Sequence, residues 1–393
     1  MRDILLLGAN RTPIGSLGGQ FSGTSVAELG SATARAAFQR AGIAPDQIDE
    51  AIFGNVLQAG QGQNPARQIS LGSDVPVSVP AFTVNKVCGS GMKSLDLAWQ
   101  AIQLGRANKI LAGGAENMTQ APYLLPTLRG GARLGDTTAV DSLTSDGLTD
   151  VFNKFHMGIT AENIADQYGI TREEQDAFAA DSQRKAGEAI AAGRFKDELS
   201  TVTVKQRKKE LLIETDEYPR PETTAEKLAA LSPAFKKDGS VTAGNASGIN
   251  DGAASMIVAA SDALPAGANL DRAVYLRDVR SHGCCPKTMG LGPIGAVQRL
   301  LEKNGLTVAD IELWELNEAF AVQSLAVVRD LAIDPALVNV NGGAIALGHP
   351  IGCSGARIVT TLIHEMHRRG ARYGVAAMCI GGGMGIGCLL ERK

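Results

Sequence analysis

The chain repeats its own order of elements at an offset of 263 residues, the separation of Gly42 and Gly305 (305 − 42). After the apolar run "ILLLGA" from Ile4, Ser25 and Glu28 form a capping box, which predicts a helix to about Ala41. Gly42 stops it, and "IDEAIFGNV" predicts the next strand. "AVQRLLEKNGLTVADIELWELNEAF" runs through the same series of helix, glycine stop, acidic-apolar alternation and strand, with Ile311 in the place of Ile48. The offset also carries Cys88 to position 351, inside "LGHPIGCSGARIVTTLIHEM", and sets "ANKILAGGAE" beside "ARYGVAAMCIGGG". Elements matched in order predict two α/β halves, each of mainly parallel strands covered by helices.

Residues 120–250 interrupt the pattern: they are more polar, hold a second capping box at Thr171 and Glu174, and carry the basic run "VKQRKK". "TAGNASGINDGAASMIVAAS", residues 242–261, returns to small residues and a strand. The expected division is a discontinuous N-terminal half (1–120 plus 243–268), an inserted loop domain (121–242) and a C-terminal half (269–393).

With 44% apolar and 20% charged residues and a formal net charge of −3, the composition is that of an ordinary globular protein with no general attraction to nucleic acid. No apolar run approaches the ~18 residues of a membrane span, and the N-terminus lacks the apolar length of a signal peptide, so a cytoplasmic protein with no membrane partner is expected. Cys88, Cys284, Cys285, Cys353, Cys379 and Cys388 are too sparse for a disulfide framework and show no CxxC spacing, which predicts free thiols and no metal site.

In "VNKVCGSGMKSL", Cys88 stands where a strand turns into a helix, a position whose free N–H groups and positive dipole end lower a thiol pKa. Burial is the commoner fate of an isolated free cysteine. His349 takes the matching place in the second half, ahead of Pro350 and among Gly348, Gly352 and Gly355, whereas His282, His364 and His367 sit in ordinary surroundings. Cys379 ends the apolar strand "YGVAAM" and begins "CIGGGMGIG", which lacks GxGxxG spacing and any following helix, so no dinucleotide site is expected. That run reads either as backbone N–H groups open to an oxyanion or as a tight hairpin. Asn317 in "WELNEAFA" either holds a water or an oxyanion or caps a helix.

Together "NKVCGSGMKSL", "NEAFA", "NGGAIALGHPIGCSGAR" and "CIGGGMGIG" resemble the thiolases, in that family's order and over essentially the whole chain. The resemblance implies a five-layered α-β-α-β-α fold of duplicated α/β halves with an inserted loop domain. It makes Cys88 the acylated nucleophile, His349 its activator and Cys379 the acid/base at the substrate's α-carbon. One oxyanion hole is then formed by His349 and a water on Asn317, and another by the N–H groups of Cys88 and Gly381. Gly89 and Gly91 read as backbone room around an acylated Cys88. "FHMGITAENIA", with His156 and Met157, is similar to the biosynthetic type, which joins two acetyl-CoA molecules reversibly into acetoacetyl-CoA and CoA. By the same resemblance coenzyme A meets Leu148, His156, Met157, Arg220, Phe235, Ala243, Ser247, Ala319 and Phe320, with Met289 near the acyl pocket. CoA thioesters are then substrates and no cofactor is needed. A homotetramer, as a dimer of dimers, is implied by the likeness of residues 121–136 to the family's tetramerisation loop.

Four other readings compete. A broader-range 3-ketoacyl-CoA thiolase shares the motifs. A ketoacyl synthase uses Cys and His but not a second cysteine. A non-catalytic acyl-CoA or lipid carrier has no need of the complete set Cys88, Asn317, His349 and Cys379. A papain-like hydrolase has a different sequence around its cysteine.

Overall fold

The computed structural model describes residues 2–206 and 209–393, so Arg207 and Lys208 of the basic run lie outside the described residues. β1 (Ile4–Arg11) is followed by α1 (Val26–Ala41). The Ser25 hydroxyl accepts from the Glu28 N–H and the Glu28 carboxylate accepts from the Ser25 N–H, so the expected capping box starts α1. Gly42 ends it at φ 62°, a conformation that glycine adopts without strain. β2 (Glu50–Gly54), β3 (Ala81–Val84), α2 (Ser90–Gln103) and β4 (Lys109–Asn117) come next. The inserted segment contains α3 (Met157–Tyr168) and α4 (Arg172–Ala191), the latter begun by the Thr171–Glu174 capping box. β5 (Asn250–Ala260) then returns to the first sheet between β1 and β4.

The second half holds β6 (Val274–Gly283), α5 (Gly292–Asn304), β7 (Leu313–Leu316), α6 (Ala321–Asp330), α7 (Ser354–Arg369), β8 (Tyr373–Ile380) and β9 (Met384–Glu391). Gly305 ends α5 at φ 64°, matching Gly42, and Ile48 and Ile311 both close short 3-10 turns before their strands.

The strands run in the order β7-β8-β9-β6-β1-β5-β4-β2-β3, with Gly15–Ser16 beside β5. Val338 bridges in parallel to Trp314 of β7, and with it each half shows one order: its third element outermost, then second, fourth, fifth and first. The halves meet through their equivalent first strands, where Leu5 of β1 lies opposite Tyr275 of β6.

The expectation of mainly parallel strands fails. Only β2 with β3, β2 with β4, and β7 with β8 are parallel among these neighbours, because each half closes with a strand that runs back, β5 or β9. The sheets are mixed.

Two helices lie between the halves. Leu95 and Ile102 of α2 and Ile358 and Leu362 of α7 share one core with Ile110 and Met256 of the first half and Met378 and Leu390 of the second. α1 covers the far side of the first half with Leu29 and Phe38, while Val297 of α5 and Val327 of α6 cover that of the second. The result is five layers, helix, sheet, helices, sheet, helix, and burying each such leucine or phenylalanine contributes about 1.5–3 kcal/mol.

Glycines set the spacing of the central pair. A Cβ on Gly355 would stand 2.3 Å from the Met92 amide nitrogen, and one on Gly91 would stand 2.8 Å from that of Ala356. Gly89 is equally closed, with Ile380 Cδ1 2.5 Å from where its Cβ would be. These two glycines therefore serve helix and sheet packing, not space for an acyl group. Among the described residues no helix is long and apolar enough to cross a membrane.

Candidate active site

The turn from β3 to α2 carries Cys88 on a strained backbone. Val87 has φ 47°, an outlier for a β-branched residue that costs of order 1–3 kcal/mol. Hydrogen bonds hold it there: Asn85 Oδ1 accepts from the Val87 N–H at 2.9 Å, and Ser90 Oγ accepts from the Lys86 N–H at 2.8 Å while donating to the Val87 carbonyl at 2.6 Å. The strain leaves Cys88 half-buried and facing a cavity.

A lowered thiol pKa was the expectation for this position, and it is not met. Burial pushes Cys88 up to about 11, while hydrogen bonds from the backbone N–H groups of Gly381 and of Cys88 itself oppose the rise. Desolvation outweighs the helix terminus, so the resting group is a thiol.

His349 faces the same cavity from the turn before α7. Its backbone N–H donates to Asn250 Oδ1 at 2.9 Å, and its Nδ1 lies 2.5 Å from Ser354 Oγ. Burial, and after it the positive charge of Arg357, drives its pKa down to about 3, so the imidazole is neutral. With Cys88 near 11 and His349 near 3, both groups rest uncharged.

Asn317 follows β7 with its backbone N–H donating to the Ala377 carbonyl at 3.0 Å. It does not cap α6, whose N-cap is Phe320. Its Nδ2 lies 3.5 Å from His349 Nε2, and its buried Oδ1 has no hydrogen-bond partner among the described residues. That orphaned acceptor, in a buried position, favours the water-holding reading over the capping one.

Cys379 sits fully buried near the end of β8, opposite Gly385 of β9. Burial raises its pKa well above the ordinary value, and the proximity of Cys88 raises it further. Gly382 and Gly383, both at φ 85°, form the turn into β9, so the hairpin reading of the glycine run is correct for them. Gly381 is not at positive φ and has only Val87 Cγ1 and Met157 Sδ within reach of a Cβ, at 3.3 and 3.6 Å.

The cavity over Cys88 and His349 has a volume of about 460 Å³. The nine residues expected to meet coenzyme A all line it: Leu148, His156, Met157, Arg220, Phe235, Ala243, Ser247, Ala319 and Phe320. His156 stacks on Phe235 with ring centroids 4.6 Å apart, and Phe320 meets Phe235 edge-on at 6.3 Å. His156 Nδ1 also accepts from the Gly158 N–H at 3.0 Å, which fixes the ring at the start of α3. Met289, expected near the acyl pocket, does not line the cavity itself: it is 3% exposed and packed with Met157, Phe320 and Cys379. Among the described residues the wall bears no carboxylate and one guanidinium, that of the exposed Arg220.

Sequence reasoning missed several groups here. Met118, Tyr218, Ile249 and Ile351 are among the other residues that line the wall. Beneath it the buried Glu116 carboxylate accepts from Asn55 Nδ2 at 2.7 Å and from the N–H groups of Val56, Leu57 and Gly352 at 3.0, 3.2 and 2.9 Å. It thereby ties the loop after β2 to the turn that carries His349, and burial still raises its pKa to about 7. A charged residue inside the apolar strand "KILAGGAEN" was the available signal.

Two family descriptions match the chain: "Thiolase, N-terminal domain" over residues 4–262 and "Thiolase, C-terminal domain" over residues 270–392. An acetyl-CoA acetyltransferase of Pseudomonas aeruginosa is 54% identical over 393 residues, covering 100% of each chain. The structure of the Bacillus anthracis acetyl-CoA acetyltransferase superposes with a TM-score of 0.95 at 42% identity, covering 100% of this chain and 99% of the other. Human mitochondrial 3-ketoacyl-CoA thiolase in complex with CoA gives 0.93 at 41% identity, covering 100% and 98%. With both family domains matched in order, and with relatives alike from end to end, the chain belongs to the thiolase family.

Proposed function

We propose that this thiolase is an acyltransferase that condenses two acetyl-CoA molecules reversibly into acetoacetyl-CoA and CoA, through an acetyl group carried on Cys88. One observation carries the reading: Cys88 and His349 open into a single cavity, with the thiol of Cys379 buried close by. The name of the Pseudomonas aeruginosa relative supports the two-carbon substrate.

In the first half-reaction Cys88 attacks the thioester carbonyl while its proton moves to His349 Nε2. The carbonyl oxygen's charge is taken by the N–H groups of Cys88 and Gly381, the bond from carbon to the CoA sulfur breaks, and that sulfur leaves with the proton of Cys379, so that Cys379 becomes a thiolate while His349 keeps the proton of Cys88. In the second, the Cys379 thiolate left by the first removes a proton from the methyl group of another acetyl-CoA. The His349 Nε2–H and a water on the Asn317 amide donate to the enolate oxygen, the carbanion attacks acetyl-Cys88, the bond from the acyl carbon to the Cys88 sulfur breaks, and that sulfur takes its proton back from His349. Arg220 at the cavity mouth suits the phosphates of the nucleotide, and the aromatic group of His156, Phe235 and Phe320 suits the pantetheine arm. The cycle as proposed uses no metal and no organic cofactor.

A second reading, a thiolase of broader chain length, is favoured by the equally good match to human mitochondrial 3-ketoacyl-CoA thiolase, at TM-score 0.95 and 42% identity. Thiolysis assays across 3-ketoacyl-CoA chain lengths separate the two. Activity confined to four carbons supports the acetoacetyl-CoA reading, and comparable rates at eight or more overturn it.

The proposed assembly is a homotetramer in the cytoplasm. Residues 121–136 expose apolar side chains, Leu134 completely, and six free thiols suit a reducing compartment. Light scattering on the eluted protein tests the assembly.

A further inference from the structure

Acylation as proposed above needs a neutral His349 with its cavity-facing Nε2 bare, and a neutral imidazole has a proton on one nitrogen only. Something must therefore hold that proton on Nδ1. The group beside Nδ1 is the hydroxyl of Ser354, 2.5 Å away and fully buried at the first residue of α7. Ser354 Oγ also lies 2.9 Å from the Pro350 carbonyl oxygen, to which it donates. A hydroxyl has one proton; once it is given to Pro350, the oxygen faces Nδ1 as an acceptor.

We propose that Ser354 is a positioning residue that fixes the tautomer of His349: Nδ1–H donates to Ser354 Oγ, Ser354 donates to the Pro350 carbonyl, and Nε2 is left bare toward Cys88. The inference rests on the acyl-transfer reading and concerns how its base is kept ready. The chain is closed within one turn. His349, Pro350 and Ser354 lie within six residues, and the Pro350 carbonyl also accepts the N–H groups of Cys353 and Ser354 at 2.9 Å each, so the relay's end is held by the start of the helix. The backbone side is fixed as well, by the His349 N–H on Asn250 Oδ1 and by Asn250 Nδ2 on the Gly15 carbonyl at 3.0 Å. Ring position and proton position are thus set by separate contacts, and only the second depends on Ser354.

The relay serves both half-reactions. When Nε2 takes the Cys88 proton, Nδ1–H keeps the same partner, so no group has to turn as the Cys88–acyl bond forms and the carbon–sulfur bond to CoA breaks. In condensation Nε2–H donates to the enolate oxygen beside the water on Asn317, and returns its proton to Cys88 as that sulfur is expelled, which leaves Nε2 bare again.

The test compares Ser354→Ala and Ser354→Thr with the wild type, using acetyl-CoA. Mass spectrometry follows acetyl-Cys88 with time, and steady-state assays give kcat and KM. Losing the correct tautomer should lower the acylation rate and kcat by roughly 100-fold, at the low end for general base catalysis, with KM within about two-fold. Ser354→Thr, which keeps the hydroxyl, should recover at least a tenth of the wild-type rate. Nitrogen-15 spectra of labelled histidine should place the His349 proton on Nδ1 in the wild type and not in Ser354→Ala. A Ser354→Ala enzyme that acylates within about three-fold of wild type, or a wild-type ring protonated on Nε2, overturns the proposal while leaving the function intact. Wild-type enzyme that never forms acetyl-Cys88 overturns the function itself and this inference with it.

Discussion

The Asn317 amide nitrogen stands 3.5 Å from His349 Nε2, joining the end of β7 to the turn before α7 on one side of the cavity. Asn317 Oδ1, beside it, is buried without a partner among the described residues. In the proposed cycle His349 serves both steps, whereas Asn317 serves the condensing step alone. Asn317→Ala should therefore form acetyl-Cys88 within a few-fold of the wild-type rate, yet lose roughly 100- to 1000-fold in condensation, the usual cost of one oxyanion donor. Equal losses in both steps would contradict the assignment.

Cys379 is fully buried where β8 ends, with no charged partner to make it a resting thiolate. Cys379→Ala should still carry acetyl on Cys88 but fail to exchange the methyl protons of acetyl-CoA with deuterated water. Wash-in of deuterium at the wild-type rate would remove Cys379 from the mechanism.

The depressed pKa of His349, about 3 against an ordinary 6.5, makes stability depend on pH. Between those values the unfolded chain binds a proton that the folded protein refuses, so this contribution is present above pH 6.5 and is lost as pH falls, by up to about 1.4 kcal/mol per unit. Urea unfolding of wild type and His349→Asn isolates it, since the other buried groups are common to both. From neutral pH to about pH 5 the wild type should lose roughly 2 kcal/mol relative to the variant, and parallel curves would show that His349 is not held neutral by the fold.

The two glycine roles give opposite expectations for alanine. Gly355→Ala forces a Cβ to within 2.3 Å of the Met92 backbone and must part the central helices, at a cost of about 1–3 kcal/mol or more, with loss of activity. Gly305→Ala meets no atom within 4 Å but has φ 64°, so it should cost about 1 kcal/mol and leave activity unchanged. Thermal unfolding with an activity assay at one temperature distinguishes them.

What the sequence made legible was periodic or local. The repeat located Gly42 and Gly305, the capping boxes located two helix starts, and the glycine-flanked Cys88, His349 and Cys379 marked three groups that the fold brings to one region. What it hid depends on contacts between distant segments. The direction of the Cys88 pKa turned on burial, which no spacing records. Gly91 looked like room for a substrate because its neighbour, Ala356, is supplied by the other half. Met289 does not line the cavity because the turn that carries it packs against α3. Asn317 was left between capping and water binding until Phe320 proved to be the cap of α6. Parallel strands were expected because a strand-helix alternation says nothing of a closing strand such as β9, which doubles back after a tight turn.

The junction at Leu5 and Tyr275, where the equivalent first strands lie side by side, has a consequence for how this protein fails. The proposed nucleophile, Cys88, belongs to one copy of the repeat, and the His349 imidazole, the Asn317 amide and the Cys379 thiol belong to the other. Each copy also has an outer core of its own, around Phe38 in one and Trp314 in the other, that does not need its twin. Chains whose copies have each formed but docked out of register would keep their secondary structure and much of their apolar burial while having no working centre. Inactive material that still looks native by circular dichroism is therefore the characteristic product of misassembly, and turnover, not helix content, is the measure of correctly joined protein.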